Sequence, residues 1–210
     1  MKRVVCTALL ALLAVVLPVM ARADTIDMTN QFGTVTILAS GITSFASELK
    51  SFNGTQAGPG HALGRVNFST GAFISTGPGS TILTGGQFSS TGSSFVVNGK
   101  WGPLKSDHGT IFSGAFTAPI DWTLIASSRQ FHEYELTGQI SGQLYNGHMA
   151  TGTTTQVIYT YWNQEAQDHK GEIHLGGTIL NSTPEPGTLG LLGSGLLAMA
   201  GVIRRRISRA

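Results

Sequence analysis

Thiols are almost missing from this chain: its 210 residues include one cysteine, Cys6. Cys6 sits in an apolar run near the N-terminus, so everything after it lacks disulfides and thiolate metal ligands. A domain built from that remainder relies on its core alone. Charge is sparse too, at 11% Asp, Glu, Lys and Arg, with a formal balance of +2. Seven of the cations (Lys2, Arg3, Arg22, Arg204, Arg205, Arg206 and Arg209) fall in the two end segments. Between Asp24 and Thr183, six Lys and Arg face ten Asp and Glu; six minus ten gives −4. A nucleic-acid footprint needs clustered cations over a face, and none is present, so that function is excluded. Nucleophile, zinc-protease and phosphate-loop motifs are missing as well. "GSGLLA", Gly193–Ala198, fits a loose dinucleotide fingerprint, but no strand precedes it and no βαβ unit follows. We expect no enzyme activity and no cofactor.

The N-terminal end reads as a signal peptide over residues 1–23. Met1-Lys2-Arg3 is its basic start and Val4 to Met20 its apolar stretch. Ala21 and Ala23 supply the small residues of a cleavage site, with Asp24 as the mature start. About 160 residues then remain, enough for one domain that buries roughly 70% of its extended surface.

Residues 24–182 carry alternation of period two, the mark of half-buried antiparallel strands. Val35 and Ile37 share a face against Thr34 and Thr36; Phe95 and Val97 alternate with Ser94, Val96 and Asn98. Ile120, Trp122 and Leu124 oppose Asp121 and Thr123. Ile173, Leu175 and Ile179 are set against Glu172 and His174. Turn signals punctuate these runs: Asn53-Gly54, Gly58-Pro59-Gly60, Gly77-Pro78-Gly79, Asn98-Gly99, Thr137-Gly138 and Asn146-Gly147. Only "TSFASELKSF", Thr43–Phe52, invites a short helix. A loose Ser/Thr-Gly rhythm over residues 69–95 leaves a β-solenoid as a minor alternative. The expected fold is all-β, an antiparallel β-sandwich or barrel-like meander, flanked by an N-terminal signal helix and a C-terminal transmembrane helix.

Candidate chemistry in the centre is thin. Glu133 and Glu135 share a strand face, and carboxylate pairs hydrolyse glycosidic bonds, but such pairs flank a cleft from different strands. With Tyr134 and Leu136 opposite, these two read as solvent-facing. Asp168, His169, Glu172 and His174 are the densest group of metal-ligand types, without calcium-loop or zinc spacing. No metal site is expected. His61, His108, His132 and His148 stand singly. The aromatics carry more. Tyr159 and Tyr161 share one strand face, Ile158 and Trp162 the other, so one set is a candidate for exposure. Exposed aromatics stack on sugar rings, which marks Tyr159, Tyr161 and Trp162 as glycan-contact candidates beside the alternative of ordinary cross-strand pairing.

Residues 183–210 close with an apolar stretch, Thr188–Ile203, of about 16 residues or roughly 24 Å as a helix. That is short of the ~20 residues a bilayer core needs. Arg204, Arg205 and Arg206 would stay cytoplasmic. Pro184-Glu185-Pro186, a Gly-rich apolar helix and this arginine cluster together resemble the PEP-CTERM sorting signal. The resemblance covers Pro184–Ala210. It implies recognition by an exosortase, a membrane cysteine peptidase, with cleavage near Pro-Glu-Pro. It also implies a precursor anchored in the inner membrane and a mature domain that is periplasmic, at the cell surface or extracellular, in envelopes that make extracellular polysaccharide. The centre is similar to Ser/Thr/Gly-rich β regions common among such proteins. The resulting expectation is an exported, non-enzymatic envelope or matrix protein. A surface polysaccharide-binding module is the alternative, and a secreted hydrolase a more distant one.

Overall fold

The structure, a computed structural model, describes residues 24–100, 109–128, 131–161 and 169–182, and the single residue 195. The signal segment with Ala21 and Ala23, the Pro184–Pro186 tripeptide, Arg204–Arg206, Trp162, Asp168 and His108 lie outside them. Thr25–Ser182 forms one unit. Among the described residues no helix is long and apolar enough to cross a membrane.

Thirteen strands are assigned. They are β1 (Thr25–Gln31), β2 (Thr34–Leu38), β3 (Gly41–Phe52), β4 (Thr55–Gln56), β5 (Gly64–Ser69), β6 (Phe73–Ile74) and β7 (Gly86–Phe88). The rest are β8 (Ser94–Gly99), β9 (Thr110–Phe116), β10 (Ile120–Ser127), β11 (Phe131–Leu144), β12 (Met149–Tyr161) and β13 (His169–Ser182). Several are halves of one bent strand. β1 and β2 pair in turn along β13, Thr25 with Asn181 through to Ile37 with His169. β9 and β10 likewise run along β11. Pro119, lacking an N–H, sits at their break, while the Thr117 N–H reaches Gln139 O at 2.9 Å. β5–β6 and β7–β8 are bent in the same way.

Counting each bent pair once and setting aside the two-residue β4, which pairs with β3, eight strands follow one another antiparallel, and the last, β13, pairs with the first, β1–β2. The sheet closes into an eight-stranded up-and-down barrel. Of the two architectures expected, the barrel is the one formed, and the solenoid alternative falls. Closure removes the sheet edges. Eight strands leave an interior that side chains can fill, and here they do. Phe68, Phe95, Phe112 and Phe116 cluster at one side with ring centroids 6.1–6.4 Å apart. Trp122 stacks on Tyr134 at 4.3 Å. Their polar tips are used: Trp122 Nε1 donates to Ile82 O at 2.8 Å and Tyr134 Oη to Leu83 O at 3.1 Å. These bonds hold the β6–β7 loop against the barrel.

The opposite side of the interior holds a polar network. Asn30 Nδ2 donates to Ser47 Oγ at 2.8 Å and to Gln156 Oε1 at 2.9 Å. Gln156 Nε2 donates to Thr154 Oγ1 at 2.8 Å, and Thr154 Oγ1 meets Thr178 Oγ1 at 2.9 Å. All five residues are buried. Gly176 makes room for them, since a Cβ there would lie 2.2 Å from both Asn30 Oδ1 and Gln156 Oε1.

Four sequence expectations are corrected. Thr43–Phe52 is strand, not helix, because both neighbours in the barrel supply its backbone partners. Thr137-Gly138 and Asn98-Gly99 lie within strands rather than turns. Gly138 is there for space: a Cβ would meet the Phe116 ring at 2.6 Å. Leu175 and Ile179 face outward, 47% and 55% exposed, whereas Ile173 is buried. The register between β12 and β13 shifts at Val157/Ile158, and the extra β13 residue flips every side chain beyond it. Asn53-Gly54 does form a turn with both φ positive, 46° and 79°.

Candidate functional site

The outer wall of β11, β12, β13 and the β1–β2 strand carries a cluster of aromatics, and register irregularities put it there. In β1 the even-numbered residues Ile26, Met28 and Asn30 point inward; in β2 the odd-numbered Val35 and Ile37 do. The switch occurs at Phe32 and Gly33, with φ of 62° and 84°. Had the strand run on regularly, Phe32 would have entered the core. Instead it is 47% exposed, while its N–H still reaches Ile173 O at 2.7 Å. The bulge of β13 lies directly alongside and turns His174 and Leu175 outward.

These displaced residues meet the outward face of β12. Tyr159 and Tyr161 both point out, as Ile158 and Thr160 on the opposite face are buried. The His174 ring stacks on Tyr159 at 4.4 Å and 23°, and Phe131 tilts against the same tyrosine at 5.9 Å. Tyr161, paired with Phe131, is 65% exposed. Phe32, Tyr159, Tyr161, Glu172, Ile173 and His174 line a cup of about 270 Å³. Lys50, on β3, ion-pairs with Glu48 and lies 5.1 Å from the Phe32 ring centroid. That is a cation–π contact across the rim.

The cup is amphipathic. Glu133 on β11 and Glu172 on β13 both lie opposite Tyr159 in register. Partial desolvation first, then the charge and hydrogen bond of Glu133 and the neighbouring Tyr161, raise the Tyr159 phenol above its ordinary pKa. Tyr159 therefore keeps its phenol proton at physiological pH, beside the Glu133 carboxylate. The strands that carry the two carboxylates are two spacings apart, about 9.5 Å, with Tyr159 on the strand between them. Such an arrangement presents polar and aromatic groups to a ligand lying on the surface.

Of the predicted site residues, the structure brings Tyr159, Tyr161, Glu172 and His174 into one place. Glu133 joins them, while Glu135 lies beside Val157 further along β11. His61 and His148 are exposed in turns, and His132 leans on Tyr134 inside the wall at 6.1 Å. Phe32, Lys50 and Phe131 were not singled out in the sequence. The Phe32-Gly33 step was the available signal, since glycine within a strand pattern marks a bulge. Among the described residues no group of three or more His, Cys, Asp or Glu is placed to hold a metal.

A second hollow, of about 510 Å³, lies along the β6–β7 loop and is lined by Thr76–Ser80, Thr84–Gln87 and Asp121–Leu124. Its carboxylate, Asp121, accepts from Gln87 Nε2 at 2.8 Å. It is shallow, and its aromatic, Trp122, is buried.

Comparison with known proteins bears on the C-terminal end. Residues 182–206 match the family model for the PEP-CTERM protein-sorting motif. That span contains Pro184, Glu185 and Pro186 and the three arginines from Arg204. The motif implies export, with a membrane-anchored precursor processed by an exosortase. No curated protein and no solved structure matches the chain significantly.

Proposed function

We propose, from the premise of a PEP-CTERM sorting motif at residues 182–206, that this chain delivers a non-enzymatic β-barrel to the envelope or its surrounding matrix. There the barrel holds extracellular polysaccharide against its outer wall. The observation that carries the binding role is the cup around Tyr159 and Tyr161, with Tyr161 65% exposed and carboxylate and imidazole groups beside it. Aromatic faces receive the apolar faces of sugar rings, while Glu172, His174 and the Tyr159 hydroxyl match their hydroxyl groups. The placement of Glu133 and Glu172 on the outer wall, with Tyr159 between them, supports binding without hydrolysis.

Two measurements test this reading. The intact mass of the protein from membrane and extracellular fractions reports processing. An extracellular form ending near Pro184–Gly187 is expected, and a form running to Ala210 in every fraction rules out removal of the anchor. Affinity electrophoresis of the exported protein through polysaccharide gels reports binding. Retardation is expected, and Tyr161→Ala should weaken it about tenfold, equal to about 1.4 kcal/mol. Migration unaffected by any glycan would sink the binding role. Release of reducing ends would sink the non-enzymatic one.

A further inference from the structure

The cup is one end of a longer feature. The outward residues of β12, read from Tyr161 back along the strand, are Tyr159, Val157, Thr155, Thr153 and Thr151. Thr155 Oγ1 meets Thr137 Oγ1 of β11 at 3.3 Å, and Thr153 and Thr151 lie opposite Gln139 and Ser141. On the other side Thr155 lies opposite Gly177, where a Cβ would meet nothing within 4 Å. Ile179, 55% exposed, stands next along β13 on this wall. From Thr151 to Tyr161 the strip runs roughly 33 Å at the strand rise, several sugar units long. It passes from aromatic to hydroxyl and amide side chains, with an open notch at Gly177. Charge along it has one dominant sign. Glu133 and Glu135 border it from β11 and Glu172 from β13, against Lys170 near the Tyr161 end, while Lys50 at the Phe32 rim is paired with Glu48.

Resting on the glycan-binding reading above, we infer that β12 is a linear track for an extended, uncharged polysaccharide. The cup seats one end of the bound segment, and the Thr151–Thr155 hydroxyls with the Gly177 notch carry the rest. A chain bearing uronic acids would bring its carboxylates against Glu133, Glu135 and Glu172 and be repelled. A neutral chain meets hydroxyl and amide groups that exchange readily for its water. Side chains anchored on one strand of a closed barrel are held rigidly in line, which suits a stiff polymer.

The test uses the exported protein with a neutral glucan, a uronic-acid polymer, and neutral oligomers of two and six sugars. The glucan is expected to bind at least tenfold tighter than the uronic-acid polymer, and the hexamer at least tenfold tighter than the dimer. Gly177→Val fills the notch at a residue whose φ is not positive. Together with Thr153→Val, it should lower hexamer affinity and leave dimer affinity unchanged. Circular dichroism of both variants checks that the barrel is intact. Equal binding of the two oligomers, or hexamer binding indifferent to Gly177→Val, overturns the track and leaves the cup standing. Preference for the uronic-acid polymer overturns the neutral specificity. Absence of binding to every glycan overturns the cup and the track together.

Discussion

Single residues in this barrel do two opposite jobs, and both respond to substitution in a predictable direction. Inside, Gln156 and Asn30 satisfy one another and the hydroxyls around them. Gln156→Ala would remove its bonds to Asn30 and Thr154 and take from the buried Asn30 Oδ1 its donor, at about 1–3 kcal/mol. We expect its melting midpoint to fall by roughly 3–10 °C in a scanning melt, more than for Thr153→Ala on the outer face. Tyr134 gives a pH signature. Burial pushes its pKa up to about 12 from the ordinary 10. The unfolded chain therefore loses this proton first. The contribution is fully present below pH 10, declines between pH 10 and 12, and levels off above that. Alkaline unfolding followed in this window should be less steep in Tyr134→Phe than in the parent. An identical slope would show that Tyr134 does not control it. Outside, Tyr161 adds little to stability, and its removal should register in glycan affinity alone.

At the scale of strands, the decisive events are bulges. Three neighbouring strands change inward parity close together: β1–β2 at Phe32-Gly33, β13 next to His174, and β3 around Ala46, whose φ is 59°. Lying on adjacent strands, they turn several side chains out toward one patch of the wall. Gly33 lies at the crossing. A Cβ there would sit 2.5 Å from Ser47 N, at a φ of +84°. Gly33→Ala should therefore cost about 2 kcal/mol or more, from strain and crowding together. Because Gly33 also holds Phe32 outside, it should lower affinity at the cup, a double effect that a surface substitution such as Tyr161→Ala does not share.

The bulges also mark the limit of what could be read from the chain. Alternation identified β2, β8 and the inward residues of β10, because Thr34–Leu38, Ser94–Gly99 and Ile120–Leu124 each keep one period. It misassigned Leu175 and Ile179, because the bulge at His174-Leu175 inverts the pattern within the strand, with the adjoining Gly176-Gly177 as the cue. Tyr159 and Tyr161 were visible as a shared face, since β12 has no bulge of its own. Phe32 was not, since lining one cup with Tyr159, 127 residues away (159 minus 32), depends on the β13–β1 seam that closes the barrel, while Phe131 depends on the register of the β11–β12 hairpin.

For the molecule as a whole, closure depends on the seam between β13 and β1–β2. Thr25 and Asn181 are partners there, joined also by Thr25 Oγ1 donating to Asn181 Oδ1 at 3.0 Å. The two ends of the folded unit are neighbours, so a permutant should fold. Linking Ser182 to Thr25 and opening the chain at Asn146-Gly147 keeps every strand pair. Its circular dichroism should match the parent's. Deleting β13 should instead abolish the cooperative melt, because two long edges would be exposed at once.

The same seam has a mechanical side. Thr25 and Ser182 lie at one end of two antiparallel strands, so tension applied to both ends at once loads the rungs between them singly. The seam then opens like a zipper, at low force. Tension on one end with the other free puts no such peeling load across it. Loss of either flanking segment thus changes how the barrel bears force: held by two ends it is pulled open along its closing line, and held by one it is not.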